Sequence, residues 1–362
     1  MPKPYRFIQV GLGLMGHAWA HTIMPRLIQM GKARPVAAVD LQPESFWKAQ
    51  QGLGLPAEKC YTDLERAFAE NEADFVIIVT TPATHELVVD IALRYDMDIL
   101  SEKPITDTMQ STCRVYQKVK AAGKKMAITL SCRFDQDMQT LERAIKSGKY
   151  GRLNYVVGRF THNCRKFGSW GKFRHEIPDP LLIEGSVHHF DILRAFTGSD
   201  AKTVYALTWN PPWGEFAGDS TGMVIIDMLN GTRCMYEGAK ANACTYNGWH
   251  NEYFRAECED GTLELHRRWL RVMRDYGWNH PLTEDLPLEQ QPVWTNEWIA
   301  EMFVDWLDGG PPPACHLDDE IQCAALLFAA VESAHTGKVI EVQEFLRSHL
   351  NAVGTTPAPA TV

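Results

Sequence analysis

The apolar positions of this chain fall into two rhythms. Through the first third, short unbroken apolar runs alternate with stretches of helical spacing. Arg6–Val10, Val36–Val39 and Phe75–Val79 are runs of the kind buried on both faces of a parallel sheet, and Ile99-Leu100 and Met126–Leu130 continue the series. Between them the spacing predicts helices over 17–30, 85–95 and 106–122, the last closed by Gly123. Beyond residue 132 the rhythm changes. A helix over 137–147 stops at Gly148, a strand follows over 155–160, and a loop rich in polar and aromatic residues leads to a helix ending at Gly198. From 203 to 272 the pattern is mostly strand, and Asn230-Gly231 and Asp260-Gly261 are two-residue hairpin signals between alternating runs. Residues 318–336 return to helix, with Gly337 as the stop.

Repeated βα units predict a doubly wound parallel sheet with helices on both faces over 1–132. The remainder, 133–346, predicts an α+β domain built on a large, mostly antiparallel open sheet. A tail over 347–362, rich in Thr, Pro and Ala from Gly354 onward, is expected to be largely disordered. A chain of 362 residues is too long for one small core, which agrees with two domains.

Composition narrows the partners. With 45% apolar and 22% charged residues the chain reads as an ordinary globular protein. A formal charge of −9 argues against nucleic acid or an anionic membrane as a partner. There is no run of eighteen apolar residues and no signal-peptide pattern at the N-terminus, so a cytoplasmic location is expected. The nine cysteines are scattered without a C-x-x-C pair, the usage of a reducing compartment, and they argue against a cysteine-based metal site.

Three segments carry chemistry. Gly11-Leu12-Gly13-Leu14-Met15-Gly16 fits G-x-G-x-x-G after a strand and at the opening of a helix. The first glycine permits the tight turn, the second lets main-chain N–H groups approach a pyrophosphate, and the third lets helix and strand pack closely. Asp40 ends the second strand, either as a strand-end cap or as the carboxylate that accepts from the adenosine ribose hydroxyls. The latter would repel a 2′-phosphate, and Leu41-Gln42-Pro43 offers no arginine to bind one, so NAD is favoured over NADP. Thr80-Thr81-Pro82 follows the third strand, where hydroxyls and a helix N-terminus can face the cofactor; His85 is either a first-turn helix residue or a cofactor neighbour. Ser101-Glu102-Lys103-Pro104 closes the Ile99-Leu100 strand, placing Lys103 at the carboxyl end of a parallel strand, where a dinucleotide would lie. Finally, if Leu181–Asp191 is helical, Glu184, His188 and Asp191 share one face while His189 turns about 100° away. The two histidines thus point apart, which argues against a metal.

Together these segments resemble the Gfo/Idh/MocA oxidoreductases over nearly the whole chain. The resemblance rests on the glycine turn, Thr81-Pro82 with His85, Glu102-Lys103-Pro104, Arg133-Phe134-Asp135, the Glu184…His188…Asp191 stripe and Ala329–Gly337. It departs at Glu184, where the family pattern has aspartate, and at Gly185-Ser186, where glycine comes one position early. The resemblance implies an NAD-dependent dehydrogenase of a secondary hydroxyl, with Lys103 and His188 in proton transfer. His188 would be the general acid/base, Lys103 would polarise the oxygen, Glu184 would orient them or bind a neighbouring hydroxyl, and Glu102 would meet the nicotinamide ribose. The loop from Thr161 to Trp170 should border the substrate, with His162 and Arg165 as donors, and tryptophans such as Trp209, Trp213, Trp249 and Trp278 suit a sugar or cyclitol. Two other readings stay open: a redox-neutral NAD-dependent glycoside hydrolase and a non-catalytic dinucleotide sensor. A homodimer or homotetramer is expected.

Overall fold

The computed structural model describes residues 4–278 and 280–354. These form two compact units. One comprises residues up to 130 together with 293–321 and 352–354; the other comprises 131–292 with 322–351.

Among the described residues, the first unit holds a six-stranded parallel sheet. Its strands are β1 (Tyr5–Val10), β2 (Ala33–Val39), β3 (Cys60–Tyr61), β4 (Phe75–Ile78), β5 (Asp98–Glu102) and β6 (Met126–Thr129), in the order β3-β2-β1-β4-β5-β6. The runs Phe7-Ile8, Phe75–Ile78 and Ile99-Leu100 are at most 1% exposed, as a sheet covered on both faces demands. The order reverses between β1 and β4, the switch point beside which open α/β sheets bind ligands, at the carboxyl ends of their strands. The first helical stretch starts at Leu14 rather than 17. It runs through Leu14–Ala18, a π-helical turn Trp19–Ile23 and Met24–Gln29. Pro25 falls at the start of the last piece, just past the π-helical turn, where the regular i→i−4 ladder is already interrupted.

Residues 293–321 correct the expected domain boundary. Helix Thr295–Leu307 belongs to the first unit, where Phe303 packs edge-on against Phe75 of β4 at 5.5 Å. Arg26 pairs with Glu301 at 2.6 Å, and Lys32 with Asp305 at 2.7 Å. Farther on, Ile128 of β6 donates its N–H to the Cys315 carbonyl at 2.9 Å. A second correction concerns the expected tail, since Val342–Gly354 is helical with Val342 and Leu346 buried. The tail beyond Gly354 lies outside the described residues.

The second unit is built on a nine-stranded sheet among the described residues. Its strands are β7 (Leu153–Thr161), β8 (Ala201–Trp209), β9 (Thr221–Met228), β10 (Arg233–Ala239), β11 (Tyr253–Cys258), β12 (Gly261–His266), β13 (Trp269–Asp275), β14 (Pro281–Leu286) and β15 (Ile340–Glu341). The order is β14-β13-β12-β11-β7-β10-β9-β8-β15, antiparallel except for β7 beside β10. Both hairpins form, with their turns shifted from the expected dipeptides: Leu229–Thr232 joins β9 to β10, and Glu259-Asp260 joins β11 to β12, Gly261 being already paired with Cys258. One face carries buried side chains such as Val224, Ile226, Cys234 and Tyr236. The alternate positions Leu207, Met223, Ile225 and Met235 are each more than half exposed and lie on neighbouring strands, Leu207 opposite Met223 and Ile225 opposite Met235. Among the described residues, no helix is long and apolar enough to cross a membrane.

Candidate active site

The glycine turn is held by main-chain contacts. Gly11 has φ +100°, and a Cβ there would lie 2.1 Å from the Val79 carbonyl oxygen; a Cβ on Gly16 would lie 2.2 Å from the Gly11 oxygen. Gln9, fully buried, donates from Nε2 to both the Gly16 and Gly11 carbonyls at 2.8 and 3.1 Å, a buttress that no motif foretells. Gly13 differs: nothing stands within 4 Å of its Cβ position, which leaves an approach to the turn open. Asp40 accepts the Leu12 N–H at 2.6 Å and the Gln42 N–H at 2.9 Å, so one carboxylate ties the strand end to the turn. Lys48 donates to the Leu12 carbonyl at 2.6 Å.

At the end of β4, the Thr84 hydroxyl lies 2.8 Å from both Thr80 Oγ1 and the Thr81 carbonyl, closing the turn opened by Pro82. His85 is fully buried and turned inward. Its Nδ1 faces the Pro104 and Ile105 carbonyls at 3.1 and 3.2 Å, and its Nε2 faces the Thr80 carbonyl at 3.2 Å. The imidazole therefore braces the Thr80 turn against the chain that follows Lys103. Glu102 ends β5 and accepts the Trp19 indole N–H at 2.8 Å. Burial raises its pKa above the usual carboxylate range, against the pull of that bond and of neighbouring Lys103. Lys103 follows directly and its peptide bond to Pro104 is cis.

In the second unit Glu184 and His188 lie on one continuous helical stretch, but not a uniform one. Leu181–Ser186 is a π-helical turn and Val187–Thr197 is α-helical, so the uniform α-helix expected over Leu181–Asp191 is corrected. Glu184 is 2% exposed and accepts from Arg174 Nε at 2.7 Å. His188 is buried, with its ring edge-on to Trp249 at 5.2 Å. Asp191 is fully buried and pairs with Arg133 at 3.1 Å, which gives it a structural partner in the Arg133-Phe134-Asp135 motif. His189 meets the Tyr236 hydroxyl with Nδ1 at 2.9 Å, and its ring stacks on Trp249, the same indole that His188 meets.

Of the loop residues, His162 is half-buried, with Nδ1 against Cys164 Sγ at 3.0 Å, and burial followed by the Lys240 charge lowers its pKa. The Arg165 carbonyl accepts the Glu215 N–H, whereas it is Arg174 that reaches Glu184. Among the tryptophans, Trp249 meets His188, while Trp209, Trp213 and Trp278 are 40%, 60% and 90% exposed. Arg174 and Lys240 carry no local signal in sequence. The early glycine does have a structural counterpart, for a Cβ on Gly185 would stand 3.1 Å from Lys240 Cε.

This arrangement is matched by the NAD-binding Rossmann-fold domain of an oxidoreductase family over residues 5–130 and by that family's C-terminal α/β domain over 142–342. The chain belongs to the Gfo/Idh/MocA oxidoreductases. A protein of Sinorhizobium fredii described as uncharacterised protein y4oX is 40% identical over 95% of this chain and 98% of its own length. An inositol 2-dehydrogenase of Pseudarthrobacter chlorophenolicus is 28% identical over 59% of this chain and 62% of that enzyme. A levoglucosan dehydrogenase solved with NADH and L-sorbose shares the fold at a TM-score of 0.79 and 19% identity, covering 94% of this chain and 99% of that one.

A Gfo/Idh/MocA oxidoreductase takes a nicotinamide dinucleotide, and the residues present fit one. The open side of Gly13 admits a pyrophosphate to the turn and helix N-terminus, and the Thr80-Thr81-Pro82 turn and Lys103 stand at the carboxyl ends of β4 and β5.

Proposed function

We propose that this chain is an NAD-dependent dehydrogenase that oxidises a secondary hydroxyl of a sugar, glycoside or cyclitol. Lys103 carries the reading. It follows β5 in a sheet of order β3-β2-β1-β4-β5-β6, at the ends where such sheets bind their ligands. The likeness to an inositol dehydrogenase and to a sugar-binding dehydrogenase fold supports the substrate class. Asp40, a carboxylate already oriented by the glycine turn, supports NAD over NADP.

NAD, when bound, supplies the hydride acceptor. Lys103 polarises the substrate oxygen and favours its deprotonation, and His188 takes the hydroxyl proton. Glu184, held by Arg174, orients this pair or binds a neighbouring hydroxyl. Glu102 would meet the nicotinamide ribose, Gly11 to Gly16 would hold the pyrophosphate, and Thr80 to Pro82 would face the cofactor. His162 and Arg165 donate to the substrate. His85 acts from behind, by holding the Thr80 turn.

We also propose a homo-oligomer in which a second copy covers Leu207, Met223, Ile225 and Met235.

The test is a panel of sugars, glycosides and inositols assayed for reduced nicotinamide with NAD and with NADP. Lys103→Met and His188→Ala should each lower kcat by about 10²-fold or more on the best substrate and leave NAD binding intact. Near-full turnover in either variant removes its assigned role. A wild-type protein that cleaves glycosides without net NADH points instead to the redox-neutral reaction.

A further inference from the structure

A lysine occupies a position in the second unit where the strand pattern calls for an apolar residue. Along β10 the side chains of Cys234 and Tyr236 point to the helix-covered face, and Lys240 continues that row just past the strand, 0% exposed. Its main chain is pinned on both sides. The Lys240 N–H donates to the Ser220 carbonyl at 2.8 Å, and the Cys164 N–H donates to the Lys240 carbonyl at 2.7 Å. The ammonium lies over three aromatic rings, with Nζ at 3.7 Å from the Trp170 centroid, 4.0 Å from Phe160 and 4.5 Å from Trp249. The stem passes directly under the helical turn that carries Glu184. A Cβ on Gly185 would stand 3.1 Å from Lys240 Cε and 3.7 Å from Nζ.

These contacts link Lys240 to the candidate proton-transfer residue through one ring. Trp249 stacks on His189, lies tilted against Phe160 at 4.4 Å, and stands perpendicular to the His188 ring. Trp249 and Trp170 are both partly exposed, so each keeps surface beyond the ammonium. A cation between two indoles fixes their spacing, because each ring face is drawn to the same charge. Indole faces held at a fixed spacing are the surfaces on which the C–H side of a sugar or cyclitol ring rests.

We propose that Lys240 is a positioning residue for substrate specificity: it clamps Trp170 and Trp249 as the walls against which the polyol ring is bound beside His188, and Gly185 is the residue that leaves room for it. The inference rests on the polyol dehydrogenase reading given above. In that reading Lys240 takes no part in the proton transfer, so its effect falls on KM.

Two variants test it. Lys240→Met keeps the stem and removes the charge; Gly185→Ala keeps the charge and pushes the stem. On the best polyol of the panel, Lys240→Met should raise KM about tenfold or more with kcat within threefold of wild type. Gly185→Ala should raise KM severalfold, again with kcat held. The tryptophan emission of Lys240→Met should also differ from wild type without substrate, since an ammonium has left the indole faces. Should Lys240→Met fail to fold, Gly185→Ala alone decides. Unchanged KM in the variants that fold, with wild-type turnover intact, overturns the inference and leaves the dehydrogenase reading standing. A fall confined to kcat overturns it as well. If the wild-type protein turns over no member of the panel, the dehydrogenase reading fails first and this inference fails with it.

Discussion

The two units of this oxidoreductase place their functional residues by opposite means. In the first unit the glycine turn, the Thr80 turn and the segment after Lys103 are held mostly by main-chain groups and by buried side chains that bond to main chain, Gln9 and His85 among them. In the second, Glu184 and Asp191 are buried carboxylates held by arginines from other elements, Arg174 and Arg133. Main-chain packing tolerates no added atom. A buried ion network tolerates added atoms poorly too, but its larger vulnerability is to any change in charge. The first unit should therefore break by steric substitutions, and the second by charge substitutions and by pH.

The largest expected effect is at Gly16. A valine there would put its Cβ 2.2 Å from the Gly11 oxygen, so helix and strand must separate. Gly16→Val should abolish the rise in melting temperature that NAD gives the wild type, as read by thermal unfolding with and without saturating NAD. Gly13→Ala sharpens the point. Its Cβ meets nothing within 4 Å, and its φ of −62° suits alanine, so the fold should hold while NAD affinity falls about tenfold. Equal NAD affinity in Gly13→Ala would mean that the open side of the turn is not where the pyrophosphate comes.

Next is the pH response of Asp137, in the second unit. It is 1% exposed, and its pKa is pushed up to about 7 by burial first and then by the charges of Asp135 and Glu252. Its ordinary value is 3.8. Between about pH 4 and 7 the folded state keeps this proton and the unfolded chain has lost it, so folding stability falls as pH rises through that window. Asp137→Asn removes the slope. Relative to wild type the variant should be equal in stability at pH 4 and more stable at pH 8, by roughly 4 kcal/mol at full expression. Denaturant melts of both proteins across the range decide it; curves that stay parallel would mean that Asp137 does not titrate there.

A smaller loss is expected at Arg174, whose side chain is 22% exposed while its partner Glu184 is 2% exposed. Arg174→Met leaves that carboxylate buried without its guanidinium and should cost about 3 kcal/mol. Arg174→Met combined with Glu184→Gln should recover at least half of the loss, measured by denaturant unfolding. A double variant no more stable than the single one would mean that Arg174 acts through its packing on Phe173 and Trp170, which it also covers.

The same contrast explains what could be read in the chain. The strands of the first unit stood out because both of their faces are buried, and an unbroken run such as Phe75–Ile78 has few other uses. Lys103 was legible because its signal is local, a lysine between a strand end and a proline. The two-residue β3 carried too little pattern to see. Residues 293–321 could not be assigned to the first unit, because the evidence for it lies in Arg26, Lys32 and Phe75, more than two hundred residues away in sequence. Arg174, Lys240 and Asp137 were missed for the same reason: each takes its role from partners brought by other strands and helices. The π-helical turn at Leu181–Ser186 has no pattern of its own, since an α-helical reading fits the same residues.

The smallest effect on stability, and the sharpest on assembly, is expected on the open face of the nine-stranded sheet. Ile225 and Met235 face each other across β9 and β10, and each is more than half exposed. Because these side chains already meet water in the single chain, Ile225→Lys should change the stability of a protomer by no more than about 0.5 kcal/mol. If a second copy covers this face, the same lysine is buried on association without a partner built to receive it, and the oligomer should dissociate. Light scattering on wild type and Ile225→Lys at matched concentration separates the cases. A wild-type oligomer that becomes a folded protomer places the interface on this sheet, an oligomer unmoved by the lysine places it elsewhere, and a monomeric wild type refutes the proposed assembly.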